Sequence, residues 1–328
     1  SGVSLANLPV NIIDRIEIYK GVVPASLGTD ALGGAINIIT KQDKKNYLDV
    51  SYGIGSFHTH KADLNAQFVE PKTGLIIRPT VGVNYSKNDY RMKDVQMRDE
   101  SGDNFIYGNP KRFHDDYFSL LGQIEVGVAN RSWADAFFVS ASYSKTDKEL
   151  QTGAVQTKVY GMAERNSDAW NISAHYQKRN FILKNMQLNA ALSQTWDHSL
   201  TVDTTYRKYY WDGGYIDGQR NEIMGKERSM RHYKRPLTVV RANLDYKLNN
   251  HHNFNLNYHL SRTGNDRYDD LDTTFEPSND VVSKHILGFS YNQSLLEGKM
   301  ENVFFIKDYI NHPNIRQTDQ PSVTGSEA

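Results

Sequence analysis

The chain has 328 residues, with 38 Lys plus Arg against 38 Asp plus Glu, so it carries no net charge and no global basic field to hold nucleic acid. Cysteine is absent, which excludes disulfide frameworks, thiol catalysis and Cys-ligated zinc. Mean hydropathy is −0.63 and no run approaches the roughly 18 apolar residues of a membrane-spanning helix. A membrane β-barrel stays open, because only alternate residues of its strands face lipid.

The first residues, "SGVSLANLPVN", lack a charged region followed by an apolar one. No signal peptide is expected there, and the chain reads as an internal piece of something longer. Residues 8–41 then form a small mixed module in which two short β-branched runs, Ile12 to Tyr19 and Ala35 to Thr40, flank a glycine-rich turn. Gly21, Gly28, Gly33 and Gly34 permit positive φ and close backbone approach, and Pro24 stiffens the turn. The glycines match neither a dinucleotide-binding fingerprint nor a Walker A loop, so no phosphate cofactor is implied.

From residue 47 onward apolar and polar residues alternate with period two. In "HNFNLNYHLSR", Phe254, Leu256, Tyr258 and Leu260 share one face and Asn253, Asn255, Asn257 and His259 the other. The alternation predicts eleven strands, near residues 47–54, 58–69, 74–88, 117–128, 135–149, 168–179, 186–200, 236–248, 254–264, 284–294 and 300–310. Several have the length of a tilted membrane crossing.

Connection length sorts by parity. The even connections, "EPKT", "ANRSWA", "NFILKN", "NNHHN" and "LEGK", are short, whereas residues 89–116, 150–167, 201–235 and 265–283 make long odd ones, with "GSF" the one short exception. All long loops then lie at one end of an up-and-down meander, the pattern of an outer-membrane barrel. A soluble sandwich has no reason to sort loops in this way.

The glycine-rich module resembles the C-terminal half of the plug domain of TonB-dependent outer-membrane receptors. The likeness rests on "RIEIYKG", Arg15 to Gly21 with Glu17 and Lys20, and on "PASLGTDALGGAINIITK", Pro24 to Lys41 with Asn37. Leu27 replaces a frequent aromatic and the proline is displaced to Pro24, departures that lean towards the Bacteroidetes members of the family. The motif covers about a tenth of the chain but sits where that family places it.

The resemblance implies an all-β membrane protein: an antiparallel up-and-down transmembrane β-barrel of about 22 strands whose lumen holds an N-terminal α+β plug. Residues 1–45 would be the C-terminal part of the plug and residues 46–328 the N-terminal half of the barrel, about eleven strands, with "NHPNIRQTDQPSVTGSEA" opening a further external loop. It further implies active uptake, across the bacterial outer membrane, of a scarce ligand such as a siderophore, haem, cobalamin or a glycan. The partners would be the TonB, ExbB and ExbD complex, outer-membrane lipid, an extracellular small ligand and, in some members, a surface lipoprotein. Arg15, Glu17 and Lys20 would be plug charges that meet the barrel wall. The competing reading is a plugless adhesin or enzyme barrel.

Among the long loops, "TYRKYYWDGGYIDGQRN" gathers Tyr206, Tyr209, Tyr210, Trp211 and Tyr215 beside Arg207. Such a set could stack on rings and hold anions, or form an interfacial girdle. Asp266, Asp269, Asp270 and Asp272 offer carboxylates for a cation, but EF-hand spacing is missing and a solvated acidic loop is expected. His58 with His60, His251 with His252, and His114 beside Asp115 and Asp116 read as surface histidines. No nucleophile, base or carboxylate pair stands at a catalytic spacing, so an enzyme is not expected.

Overall fold

The computed structural model describes residues 13–20, 34–40, 45–98, 104–223, 225, 227–296 and 299–316. Within the glycine-rich module, β1 (Ile13–Lys20) and β2 (Gly34–Thr40) form an antiparallel pair of their own. Arg15 lies opposite Ile39, Glu17 opposite Asn37 and Lys20 opposite Gly34. Gly34 takes φ +142°, and a Cβ there would collide with the carbonyl oxygen of Tyr19, so the strands close only on glycine. Gly21, Pro24, Gly28 and Gly33 lie outside the described residues, as does the side chain of Asn37.

The remaining long strands are β3 (Tyr47–Gly55), β4 (Thr59–Val69), β5 (Leu75–Ser86), β8 (Tyr117–Ala129), β9 (Ala136–Glu149), β10 (Glu164–Arg179), β11 (Met186–Asp203), β14 (Ser229–Lys247), β15 (His252–Asp269), β16 (Ser278–Leu295) and β17 (Met300–Arg316). They make one eleven-stranded antiparallel sheet in which neighbours in space follow chain order, with β3 and β17 at its edges. Two hairpins, β6 (Val95–Arg98) with β7 (Phe105–Gly108) and β12 (Arg207–Tyr209) with β13 (Tyr215–Asp217), fall within long loops. Each of the eleven strands expected from the alternation is present in the sheet.

Burial on this sheet is inverted relative to a water-soluble one. Ile124, Val139, Trp170, Ile172, Leu192, Leu256, Leu287 and Phe289 are exposed, whereas Asn65, Gln67, Ser119, Ser144, Asn255, Asn257 and Ser290 are buried. Direct cross-strand partners share a face. One row runs Val126, Val139 and Ala174, and another runs Leu256 and Phe289. Leaving so many large apolar side chains in water would forfeit about 1.5 to 3 kcal/mol for each, so this face is built for lipid.

The opposite face is held by polar contacts between strands. Arg78 pairs with Glu125 at 2.7 Å and donates from Nε to Gln67 at 2.7 Å. Asn171 Nδ2 reaches Ser193 and Thr195, each at 2.8 Å, and Asn243 donates to Asn255 at 3.1 Å. These residues face the barrel lumen and satisfy one another there.

At one end of the sheet the connections are tight, and Gly74, Asn130, Asn180 and Asn185 take positive φ in them. The β3 to β4 turn, at the other end, is three residues long and places both Phe57 (φ 62°) and His58 (φ 54°) in the left-handed region. Three of the four long loops are shorter than the sequence suggested, the exception being the first, which spans 87–116. β10 begins at Glu164, β11 runs to Asp203, β14 begins at Ser229, β15 runs to Asp269, β16 begins at Ser278 and β17 continues to Arg316. Beyond the lipid both faces of a strand are wet, so the alternation stops while the backbone ladder continues.

Lysine at the outward position Leu192 of the intact receptor should cost about 2 to 4 kcal/mol of folding stability in vesicles. Lysine at the lumen-facing Ser142 should cost much less. Urea titration of vesicle-inserted protein measures the difference, and equal losses would reverse the assignment of faces.

Candidate functional site

Three long loops rise from the same end of the sheet: residues 87–116, 150–163 and 204–228. Each is too polar to fold alone, and each contributes to one small apolar centre. Val95 of β6, Val159, Tyr209 of β12 and Trp211 are buried together, with Met92 and Met97 packed against them. Val159 also makes β-bridges to Thr152 and to Tyr209, joining the second and third loops by backbone.

Buried polar side chains lock this centre. Gln151, only 1% exposed, accepts from the amides of Phe113 (2.7 Å) and His114 (2.9 Å) and donates to the Tyr160 carbonyl (2.9 Å). Trp211 Nε1 donates to the Gln156 carbonyl at 3.1 Å. Glu222 accepts from the amides of Gly161 (2.6 Å) and Met162 (3.1 Å), and its own amide donates to Asp203 at 2.8 Å. A Cβ on Gly161 would come within 2.5 Å of the Tyr209 ring, so glycine is required where these loops cross.

Burial pushes the carboxyl of Glu222 above its ordinary range, because removal from water disfavours the charged form. The two amides that it accepts oppose this shift without cancelling it.

The aromatic candidates divide. Tyr209 and Trp211 are buried in the loop centre, where they hold the cap together. Tyr215 is half exposed with the Arg207 guanidinium 4.0 Å over its ring, and Tyr206 donates to Glu227 at 2.8 Å while Arg228 lies over its ring at 5.2 Å. Lys208 lies 5.9 Å over Tyr210. Tyr206, Arg207, Tyr210 and Tyr215 thus remain near the cap surface. In the first of these loops Phe105, Ile106 and Tyr107 of β7 are exposed, an apolar surface that sequence reasoning passed over because three consecutive apolar residues fit neither periodicity.

The acidic segment is not a solvated loop throughout. Asp269 and Asp272 are buried beside Arg231, at 3.2 and 3.5 Å from its guanidinium, and Asp270 meets His232 at 3.0 Å. Asp269 also accepts from the Met230, Leu271 and Asp272 amides, so these carboxylates close the base of the fourth loop. Among the described residues no group of three or more His, Asp or Glu could hold a metal ion. His114 is buried against the Ala163 carbonyl at 2.9 Å rather than lying on the surface. On the plug-like hairpin, Arg15 contacts Glu17 at 3.0 Å and Asp14 at 3.2 Å, so two of the three charges assigned to the wall meet each other.

A lipid-facing antiparallel meander with a polar inner face and a packed cap of long loops defines an outer-membrane β-barrel of the receptor type. No family model matches the chain. In sequence it is similar to the vitamin B12 transporter BtuB of Vibrio cholerae, at 25% identity over 211 residues, which are 60% of this chain and 30% of the relative. The BtuB of Vibrio vulnificus is also 25% identical, over 253 residues, 70% of this chain and 39% of the relative. In fold it is similar to the pyoverdine outer-membrane receptor FpvA of Pseudomonas aeruginosa, with TM-score 0.66 and 10% identity over 94% of this chain and 47% of that one. The chain spans about a third of the length of the curated relatives that it matches. The chain is thus similar in sequence to outer-membrane vitamin B12 transporters and in fold to an outer-membrane siderophore receptor. These relatives are transporters and receptors, not enzymes.

Replacing Gln151 with Ala should leave the buried His114 amide and Tyr160 carbonyl without partners, at about 1 to 3 kcal/mol each, and detach the cap from the first loop. Limited proteolysis should then cut within 87–116 while the strands stay protected. Because the folded-state value of Glu222 lies above the unfolded one, its contribution is fully present below the unfolded value and is lost as pH rises through the folded one. Hydrogen exchange at Gly161 and Met162, corrected for intrinsic rate, should therefore accelerate as pH rises above the ordinary carboxylate range, and Glu222→Gln should remove that dependence.

Proposed function

We propose that this chain forms the plug-proximal wall and part of the extracellular cap of a transporter that carries a scarce ligand through the outer membrane, driven by TonB with ExbB and ExbD. The inverted sheet carries the reading. Its lipid-facing exterior and hydrogen-bonded polar interior make a wall around a wet lumen, and long loops packed over one end make a selective mouth.

The ligand we favour is a large metal chelate, of the cobalamin or ferric-siderophore class, with haem and glycans as the alternatives. Support comes from the aromatic and cationic groups near the cap surface, the exposed Tyr215 and the half-buried Tyr206, Arg207 and Tyr210, which offer rings for stacking and a guanidinium for anionic oxygens. The named ligands of the similar proteins, vitamin B12 and pyoverdine, are of that size and chemistry. Residues 1–45 are assigned to the plug, and a surface lipoprotein is a further partner for the exposed Phe105 to Tyr107 surface.

Deletion of the gene should abolish growth on a limiting source of one ligand class, tested in parallel with cobalamin, ferric siderophores, haem and glycans as sole sources. The double substitution Arg207→Ala with Tyr215→Ala should weaken binding of that ligand about tenfold or more without reducing assembled barrel. Growth unaffected on every source would overturn the transporter reading, and unchanged affinity would remove this loop from the ligand contact.

A further inference from the structure

The β10 to β11 turn, residues 180–185, is one of the short connections at the end of the sheet opposite the long loops. Turns that face water are built from polar residues, yet the tip of this one is apolar. Phe181, Ile182 and Leu183 are all exposed, Ile182 by 74%. The backbone beneath them is fixed: the Phe181 amide donates to the Met186 carbonyl at 2.9 Å, the Met186 amide to the Leu183 carbonyl at 3.2 Å, and the Asn185 amide to Asn180 Oδ1 at 2.8 Å. Three apolar side chains are thus held outward in a rigid frame.

The neighbouring surface marks a membrane interface. Trp133, exposed in the β8 to β9 turn, sits edge-on to Phe137 with ring centroids 5.6 Å apart, and its carbonyl accepts from the Tyr176 hydroxyl at 2.7 Å. Phe137 and Tyr176 are direct cross-strand partners on the outward face, so the three rings make one aromatic belt. Strands that rise about 3.3 Å per residue at a tilt near 40° cross an apolar band about 25 Å tall in about ten residues. Counted along β10 from Trp170, the exposed indole at the far side of the band, that point is Asn180. The turn itself therefore lies at the inner edge of the band.

Charge there has one sign. Residues 130–135 and 176–188 carry Arg131, Lys178, Arg179 and Lys184 against a single carboxylate, Asp135. Arg179 engages that carboxylate with its amide and with its guanidinium at 3.5 Å, and Arg131 donates to the Lys72 carbonyl at 3.4 Å. Lys178, two residues beyond Tyr176 on the outward face and opposite Leu188, lies outside ion-pair distance of any carboxylate among the described residues, as does Lys184 in the turn.

We propose that the outward surface between these two turns binds one anionic phospholipid of the periplasmic leaflet, of the phosphatidylglycerol class. Phe181, Ile182 and Leu183 pack against the glycerol and upper acyl carbons, and Trp133 and Phe137 against the chains deeper in. Lys178 extends its stem along the apolar surface towards the phosphate, which Lys184 meets from the turn. Lysines with no free carboxylate beside them offer nothing to the ammonium of a zwitterionic headgroup and favour one with net negative charge. The proposal rests on the outer-membrane placement and is independent of the transported ligand.

The test is native mass spectrometry of the full-length receptor released from vesicles of equal phosphatidylglycerol and phosphatidylethanolamine, each variant compared as assembled barrel by heat-modifiable gel mobility. Wild type should retain phosphatidylglycerol over phosphatidylethanolamine by about fivefold. Lys178→Gln with Lys184→Gln should bring the ratio to parity, whereas Phe181→Ser with Ile182→Ser should lower retention of both lipids about fivefold. Parity in wild type, a preference that the lysine variant keeps, or retention that the serine variant leaves unchanged would overturn the proposal. So would release of the bound lipid by inorganic phosphate alone.

Discussion

Every backbone amide and carbonyl of a chain crossing lipid must find its partner in the chain itself, and the rest of this molecule follows from that constraint. Each neighbour satisfies only one edge of a strand, so the eleven long strands pair in succession into one continuous sheet. Once the ladder is fixed, side chains fall alternately into lipid and lumen, and the surface that a soluble protein would hide becomes its exterior.

The inner face works by different physics. Small amides, hydroxyls and a few ion pairs satisfy one another across strands, as in the Asn171, Ser193 and Thr195 group and the Arg78 and Glu125 pair. Such contacts exclude no large apolar surface, so this face is held by directional polar pairing and not by burial.

The cap relies on a third arrangement. Its apolar centre is only a handful of side chains, too small to order three loops, and the decisive contacts are buried side-chain acceptors for backbone donors. Gln151, Glu222 and Asp203 act as substitutes for a sheet ladder that irregular backbone cannot make for itself. A cap built in this way is locked where the loops cross, while Tyr107 and Tyr215 of its hairpins stand in solvent.

The sequence by itself determined the strands, their faces and the sorting of long loops to one end, because period-two alternation and connection length are local and lipid enforces them strictly. It also marked the module closed by Gly34, since the need for a residue without a Cβ is a property of two adjoining strands. Tertiary structure alone decided how far each strand runs past the lipid and which aromatics serve the cap. Trp211 and Tyr215 sit four residues apart with similar composition, yet one is buried by a loop that begins near residue 150 and the other is not. The same holds for Asp269, whose partner Arg231 lies on the neighbouring strand 38 residues away. Contacts between segments so distant in sequence are set by the sheet that brings them together, and no local pattern records them.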